Sequence, residues 1–188
     1  GLTDLVSVIE ILREKGIDGV IIGSTVLALA VGVKELEDDV DLFVTSFSPT
    51  IEEQRIRDIV TSLGWDLGRT YIDTLSIIAR YGDKEIVIEL YENIYDFYIP
   101  PHVLNNARTL KVKGKAIKLI RLEDYILLKA KRGAELDLED LRVIKSMIEK
   151  RSIRIDEGYL RRSLSQFPEE DRGVMILRLR SLGLKVTS

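Results

Sequence analysis

The sequence contains no cysteine and only one histidine, His102, among its 188 residues. The absence of cysteine excludes disulfides, thiolate nucleophiles and thiolate metal sites. His102 follows two prolines, so we expect it in a surface loop rather than at a metal. The chain also lacks an apolar run of membrane-spanning length and the layout of a signal peptide, which predicts a cytoplasmic location and no membrane partner.

What the chain does contain is typical of a globular domain. Hydrophobic residues make up 45% of it and charged residues 31%, which excludes a disordered chain. A length of 188 residues predicts one domain, or one domain with a small appendage. Few Asn and Gln beside many Ile, Lys, Arg and Glu favour a thermophilic source.

The charge is unevenly distributed along the chain. Residues 150–188 carry nine basic and five acidic side chains, a net charge of +4, against −7 for residues 1–149. A chain that is acidic overall is not expected to coat nucleic acid non-specifically. The basic C-terminal helices leave open a local contact with RNA or with an acidic protein partner, and the alternative is that they are solvated helix faces.

Hydrophobic periodicity predicts an α+β fold. It predicts strands at residues 20–22, 39–44, 75–81, 85–91, 109–112 and 116–120. It predicts helices at residues 3–15, 24–31, 48–63, 103–107, 122–132, 137–150, 156–166 and 169–182. We therefore expect a mixed, largely antiparallel sheet packed on helices over residues 1–121, followed by a helical C-terminal region at residues 122–188.

Two stretches near the N-terminus carry the clearest chemical pattern. An apolar strand ends in Gly23-Ser24-Thr25, where the start of a helix presents backbone N–H groups suited to an anion. Further on, Asp39 and Asp41 alternate with apolar residues, so both carboxylates point to one face of a strand. Such a pair predicts a divalent metal, because Mg²⁺ prefers oxygen ligands. The alternative is a solvated strand face or the end of a hairpin.

A third carboxylate follows on a later strand. Glu89 lies in an apolar-acidic-apolar run, on the opposite face of its strand from Ile88 and Leu90. Glu85 lies near the turn and Glu92 near the end of that strand, which makes both weaker candidates. The alternative for Glu89 is a cross-strand ion pair.

These motifs resemble the nucleotidyltransferase superfamily related to DNA polymerase beta. The fourteen residues between Ser24 and Asp39 are more than the minimal nucleotidyltransferases of this superfamily have. This spacing and the run Gly23–Leu27 are closer to its abortive-infection toxin-type branch. A second block is similar as well, with a lysine followed at fixed spacing by two aspartates and a leucine: Lys129, Asp137, Asp140 and Leu141.

The resemblance implies both the reaction and the roles of the residues. It implies Mg²⁺ or Mn²⁺ at three catalytic carboxylates: Asp39, Asp41 and Glu89. It implies that an NTP substrate is bound by a second set of residues: Gly23, Ser24, Thr25 and Lys129. The expected reaction moves an NMP from the NTP to a hydroxyl on a protein, an RNA or a small molecule, in a toxin–antitoxin context.

The chain departs from the family pattern in its charges. The segment before the first aspartate carries Glu35, Glu37 and Asp38, where the family has a basic residue and a threonine. In the second block, arginines of the family are replaced by Ala134 and Leu136. Added negative charge opposes a triphosphate. These departures support a second hypothesis, a catalytically weak or inactive relative that acts as a binding module.

Overall fold

The computed structural model of the protein describes residues 1–36, 39–94 and 96–186. Its strands are β1 (Gly19–Ile21), β2 (Val40–Val44), β3 (Asp66–Arg69), β4 (Leu75–Tyr81), β5 (Lys84–Tyr91), β6 (Arg108–Val112) and β7 (Lys115–Leu119). Its helices are α1 (Leu2–Glu14), α2 (Thr25–Ala30), α3 (Glu53–Ser62), α4 (Pro101–Asn105), α5 (Leu122–Arg132), α6 (Glu135–Glu149), α7 (Glu157–Leu164) and α8 (Glu169–Arg180).

The strands form one mixed sheet in the order β3-β4-β5-β2-β1-β7-β6. Antiparallel pairs join β1 to β2, β3 to β4, β4 to β5 and β6 to β7, and parallel pairs join β1 to β7 and β2 to β5. The predicted α+β class with a mixed, largely antiparallel sheet is confirmed. The strand before Gly23 and the Asp-x-Asp strand are neighbours in this sheet.

Alternating burial explains the central strands. In β5, Ile88 and Leu90 are buried, whereas Glu89 between them is only partly buried. Gly82 has a positive φ of 65°, a conformation that glycine adopts without steric penalty, and it turns β4 back into β5. The strands predicted at residues 75–81 and 85–91 therefore form an antiparallel hairpin, and its apolar face contributes to the core.

Some helices and strands differ from those that hydrophobic periodicity predicts. The strand β3 was missed because its sequence, Asp-Leu-Gly-Arg, has little of the β-branched and aromatic character that marks a strand. The helix predicted at residues 24–31 is shorter in the structure, and within α2 only Thr25 and Val26 are buried. With six residues, α2 is too short to bury several turns. The helix α3 begins at Glu53 rather than at Ser48.

The chain divides into two compact units. One consists of residues 1–98 with residues 107–120 and contains the sheet, and the other consists of residues 99–106 with residues 121 onward and contains α4 to α8. The predicted domain boundary between residues 121 and 122 stays a prediction, because compactness does not show that either part folds independently. In the part of the chain that the structure describes, every helix is too short or too polar to cross a membrane.

A buried polar cluster lies within the helical unit. Asp124 is fully buried and accepts hydrogen bonds from Tyr159 Oη and Ser163 Oγ, both at 2.5 Å. His102 Nε2 lies 2.8 Å from Ser163 Oγ. The single histidine therefore belongs to a partly buried network rather than to a surface loop. Burial raises the pKa of Asp124, against the hydrogen bonds from Ser163 and Tyr159 that lower it.

Candidate active site

Two of the three predicted catalytic carboxylates are neighbours in the sheet. The parallel strands β2 and β5 pair in a register that sets Asp41 opposite Glu89, and such neighbours share a face about 4.8 Å apart. Both residues are partly buried. Asp39 lies two residues earlier, just before β2, and is exposed. Strand alternation assigns all three residues to one face of the sheet.

The glycine of the Gly-Ser-Thr motif makes room for Asp41. The backbone N–H of Ile22 donates to the carbonyl oxygen of Asp41 at 3.0 Å, which brings the following residue, Gly23, against the Asp41 side chain. A Cβ atom added to Gly23 would lie 2.2 Å from Asp41 Oδ2 and 2.8 Å from its Cγ. Only glycine fits there while Asp41 keeps this position.

The other two residues of that motif differ in accessibility. Ser24, the N-cap residue of α2, is exposed, whereas Thr25 is only 4% exposed. The N–H of Val26 is already bonded to the carbonyl oxygen of Gly23 at 2.9 Å. Of the two hydroxyls predicted to hold phosphates, that of Ser24 is therefore the one on an exposed residue.

The structure adds a residue that the sequence reasoning missed, Tyr91. Its hydroxyl donates to Glu89 Oε2 at 2.8 Å. Burial raises the pKa of Tyr91 well above its ordinary value, and the charge of Asp41 and the bond to Glu89 raise it further. The phenol therefore stays protonated and remains a hydrogen-bond donor to Glu89. Its position two residues after Glu89, on the same strand face, was the available signal.

The two weaker carboxylates have other surroundings. Glu92 accepts hydrogen bonds from Ser48 Oγ at 2.7 Å and from the Thr50 backbone N–H at 2.9 Å, so it holds the turn that leads into α3. Glu85 is exposed and lies opposite Arg80 in the β4–β5 hairpin. Neither contact is with the Asp41–Glu89 pair.

Lys129, the predicted triphosphate contact, lies in α5 of the helical unit. Its Nζ is 2.7 Å from Asp140 Oδ2 and 3.3 Å from Asp137 Oδ1. Arg132 also pairs with Asp137, at 3.1 Å. The second sequence block thus folds into an ion-pair cluster of its own, and the role of Lys129 toward NTP stays a prediction.

The carboxylate pair is chemically suited to a divalent cation. Asp41 and Glu89 offer the oxygen ligands that Mg²⁺ prefers. Because Gly23 has no side chain, the Asp41 carboxylate can occupy the adjacent space. Among the residues that the structure describes, no group of three or more histidine, aspartate or glutamate side chains converges as a metal site. The structure thus brings together a pair of ligands, Asp41 and Glu89, and it does not bring Asp39, which lies just before β2, into a three-carboxylate group with them.

The acidic segment before Asp39 is only partly described. Glu35 points outward, with 81% of its side chain exposed. Glu37 and Asp38 lie outside the described residues. The predicted opposition between this segment and a triphosphate therefore stays a prediction.

The fold and this site define a protein of the nucleotidyltransferase class. The chain belongs to the family described as "Nucleotidyl transferase of unknown function (DUF2204)", which matches residues 1–181. The predicted superfamily is thereby confirmed, whereas the abortive-infection branch stays a prediction. No curated protein matches the chain.

One solved structure supports the fold, and two others show a weaker similarity. An antigenic nucleotidyltransferase-like protein from Paracoccidioides brasiliensis superposes with a TM-score of 0.61 at 16% identity, over 99% of this chain and 95% of that one. The antibiotic-resistance factor ANT(2″)-Ia has a TM-score of 0.43 at 16% identity, over 97% and 86% of the two chains. JHP933 from Helicobacter pylori has a TM-score of 0.39 at 14% identity, over 98% and 84%. Only the first similarity is strong enough to support the fold.

Proposed function

We propose that the protein is a Mg²⁺- or Mn²⁺-dependent enzyme that transfers an NMP from an NTP to a hydroxyl group of an acceptor. The acceptor is one of three types: a protein, an RNA or a small molecule. The observation that carries the proposal is the pairing of Asp41 with Glu89, with the Asp41 carboxylate held against Gly23. Membership of a nucleotidyl transferase family supports it.

The reaction exchanges one phosphorus–oxygen bond for another. The acceptor oxygen forms a bond to the α-phosphorus of the NTP, and the bond from that phosphorus to the bridging oxygen of the β-phosphate breaks. Pyrophosphate leaves, and the hydroxyl proton passes to solvent. A bound divalent metal would supply positive charge that lowers the pKa of the hydroxyl and stabilises the charge on the leaving pyrophosphate.

The residues of the sheet unit have separable roles in this proposal. Asp39, Asp41 and Glu89 would hold the metal. The Tyr91 phenol orients Glu89, because its hydrogen bond fixes one carboxylate oxygen at 2.8 Å. Ser24 contacts a phosphate oxygen from the exposed start of α2, and Gly23 and Thr25 shape the turn beneath it.

The role proposed for the lysine of the second block, Lys129, depends on the family resemblance and not on its contacts. Lys129 is assigned to the triphosphate only through the resemblance, since in the structure its ammonium group is paired with two carboxylates. A triphosphate would have to compete with Asp140, whose side chain is 45% exposed, for that ammonium group. The toxin–antitoxin context likewise comes from the resemblance.

A second candidate function is an inactive relative that binds a partner or a nucleotide. The observation that favours it is the lack of a converged three-carboxylate site among the described residues. Under this hypothesis the Asp41–Glu89 pair would bind metal weakly and transfer nothing.

The test is incubation with each labelled NTP and Mg²⁺ or Mn²⁺, followed by detection of label on the protein itself, on bulk RNA and on small molecules. We expect transfer by the wild type, none by Asp41→Asn or Glu89→Gln, and full transfer by Asp83→Asn, an exposed control in the β4–β5 turn. NTP binding by the wild type without transfer under any condition would favour the inactive relative.

Metal titration tests whether the two aspartates are metal ligands. Asp39→Asn and Asp41→Asn should abolish divalent-metal binding and leave the protein folded. Without metal, both variants should be at least as heat-stable as the wild type, because removing one carboxylate relieves like-charge repulsion. Equal metal affinity in the wild type and both variants would show that these aspartates are only a strand face.

A further inference from the structure

The sheet unit contains a cleft that has no role in the proposed metal and NTP sites. It has a volume of about 450 Å³, and is formed by the start of α3, the β3–β4 turn, the end of β5 and the segment that follows it. Clefts of roughly 300–1,000 Å³ are typical of small-molecule sites. This one is therefore the right size for a small organic ligand.

One side chain belongs both to the cleft and to the candidate active site. The Tyr91 ring lines the cleft, and its hydroxyl bonds to Glu89 at 2.8 Å. Phe97 lines the cleft as well, with its ring centroid 5.0 Å from that of Tyr91 and the planes inclined by 32°. A ligand stacked on these two rings would lie one side chain away from Glu89.

The charges of the cleft select against anions. Its lining carries four carboxylates and one guanidinium, a net formal charge of −3: Glu53, Asp73, Glu92, Asp96 and Arg69. Arg69 already pairs with Glu53 at 2.5 Å and with Asp73 at 3.4 Å. The excess is negative, so the field in the cleft repels a triphosphate and attracts a cation.

An apolar rim adds to this selectivity. Ile72 lines the cleft with 52% of its surface exposed. An apolar side chain left open at a cleft of this size favours a ligand with an apolar face, because covering it removes apolar surface from water.

We propose that this cleft is the acceptor site and that the acceptor is a small molecule with three features: an apolar or aromatic face, a protonated amine and a hydroxyl. The face stacks on Tyr91 and Phe97, the amine lies among the carboxylates, and the hydroxyl is directed toward Glu89. The acceptor role depends on the proposed nucleotidyl transfer, whereas the ligand class depends only on the cleft.

The test uses two probes that differ in charge. Phenylalaninol carries a ring, a hydroxyl and an ammonium group, and phenyllactate carries a ring, a hydroxyl and a carboxylate. Calorimetric titration should show phenylalaninol binding at least about tenfold more tightly than phenyllactate, with the preference falling as salt screens the charges. Equal binding of the two probes, or no binding of either, would overturn the proposal.

Variants locate the binding in the cleft. Asp73→Asn with Asp96→Asn should weaken phenylalaninol binding by about tenfold, since two attractive contacts near the surface are lost. Asparagine tolerates the positive φ of 64° at residue 73, so the backbone is not strained. The charge-matched control, Asp83→Asn with Glu139→Gln, removes two exposed carboxylates outside the cleft lining and should bind as the wild type does. Equal effects of the two pairs would overturn the assignment to the cleft.

A stacking variant and a transfer assay complete the test. Phe97→Leu should weaken phenylalaninol binding about threefold or more, because it keeps an apolar side chain and removes the ring. Labelled NMP transfer to phenylalaninol, reduced by Asp73→Asn with Asp96→Asn, would support the acceptor role. Cation-selective binding with no transfer from any NTP would support the ligand class and count against the proposed function. Transfer to RNA or protein that the cleft variants leave unchanged would overturn the acceptor role.

Discussion

Replacing Gly23 by alanine tests the close approach on which the candidate site depends. The new Cβ would lie 2.2 Å from Asp41 Oδ2. Because favourable separations between nonbonded atoms begin at about 3.5 Å, the carboxylate must move by about 1 Å or more. The easiest movement is a rotation of the Asp41 side chain, and this rotation changes its position relative to Glu89.

The expected effect is larger on activity than on stability. Overpacking of this kind destabilises by about 1–3 kcal/mol, and the stiffer unfolded chain of an alanine variant offsets about 0.4–1 kcal/mol of that. We therefore expect a net loss of about 1–2 kcal/mol in the free energy of unfolding. A displacement of about 1 Å at the reacting centre lowers the rate by about 100-fold.

The assay compares Gly23→Ala with a matched glycine replacement elsewhere. Gly173 lies in α8 and is exposed, and a Cβ added there meets no atom within 4 Å. Gly173→Ala should therefore keep full NMP transfer and gain about 0.8–1 kcal/mol in stability from helix propensity. Urea unfolding, Mn²⁺ titration and labelled-NTP transfer are measured on both variants. Wild-type metal affinity and transfer rate in Gly23→Ala would refute the reasoning.

Three further predictions concern single side chains. Tyr91→Phe removes the donor to Glu89 and should lower the free energy of unfolding by about 1 kcal/mol and reduce NMP transfer; an unchanged transfer rate would show that the phenol does not orient that carboxylate. Lys129→Met leaves the largely buried Asp137 with one cation fewer and should destabilise by about 2 kcal/mol in urea unfolding, and no loss would show that the ion pair is marginal. Burial lowers the pKa of His102, so its stabilising contribution is complete above the ordinary histidine pKa of about 6.5 and is lost as the pH falls below it. His102→Gln should therefore flatten unfolding stability between about pH 7 and pH 5 relative to the wild type, and an identical pH dependence would contradict this.

Local patterns in the sequence were sufficient for most elements of the fold. The alternation in β5 and the Gly82 turn define the β4–β5 hairpin, and the helical period over residues 122–132 matches α5. These features depend on the two-residue and 3.6-residue periods of side-chain direction and on a glycine at a positive φ. Such signals are short-range, and they can be read without knowing the rest of the structure. The strand β3 lacked them.

The chemical character of the site could also be predicted in part. Alternation assigned Asp39 and Asp41 to one strand face, and the Gly-Ser-Thr turn with the second block indicated the superfamily. Sequence reasoning placed His102 in a surface loop, because a single histidine after two prolines carries no sign of the Ser163 hydroxyl that it contacts. It also gave no role to Tyr91, although strand alternation places this residue on the same face as Glu89.

The tertiary structure decided which of these residues meet. Asp41 and Glu89 are 48 positions apart, and only the parallel pairing of β2 with β5 makes them neighbours. The same sheet brings Gly23 against the Asp41 carboxylate, and the fold of α5 and α6 turns Lys129 toward two aspartates. The physical reason is that strand order and register between distant segments are set by burial of the whole sheet. The sequence by itself determined the residue types and the strand faces, and the packing of the complete chain determined their contacts.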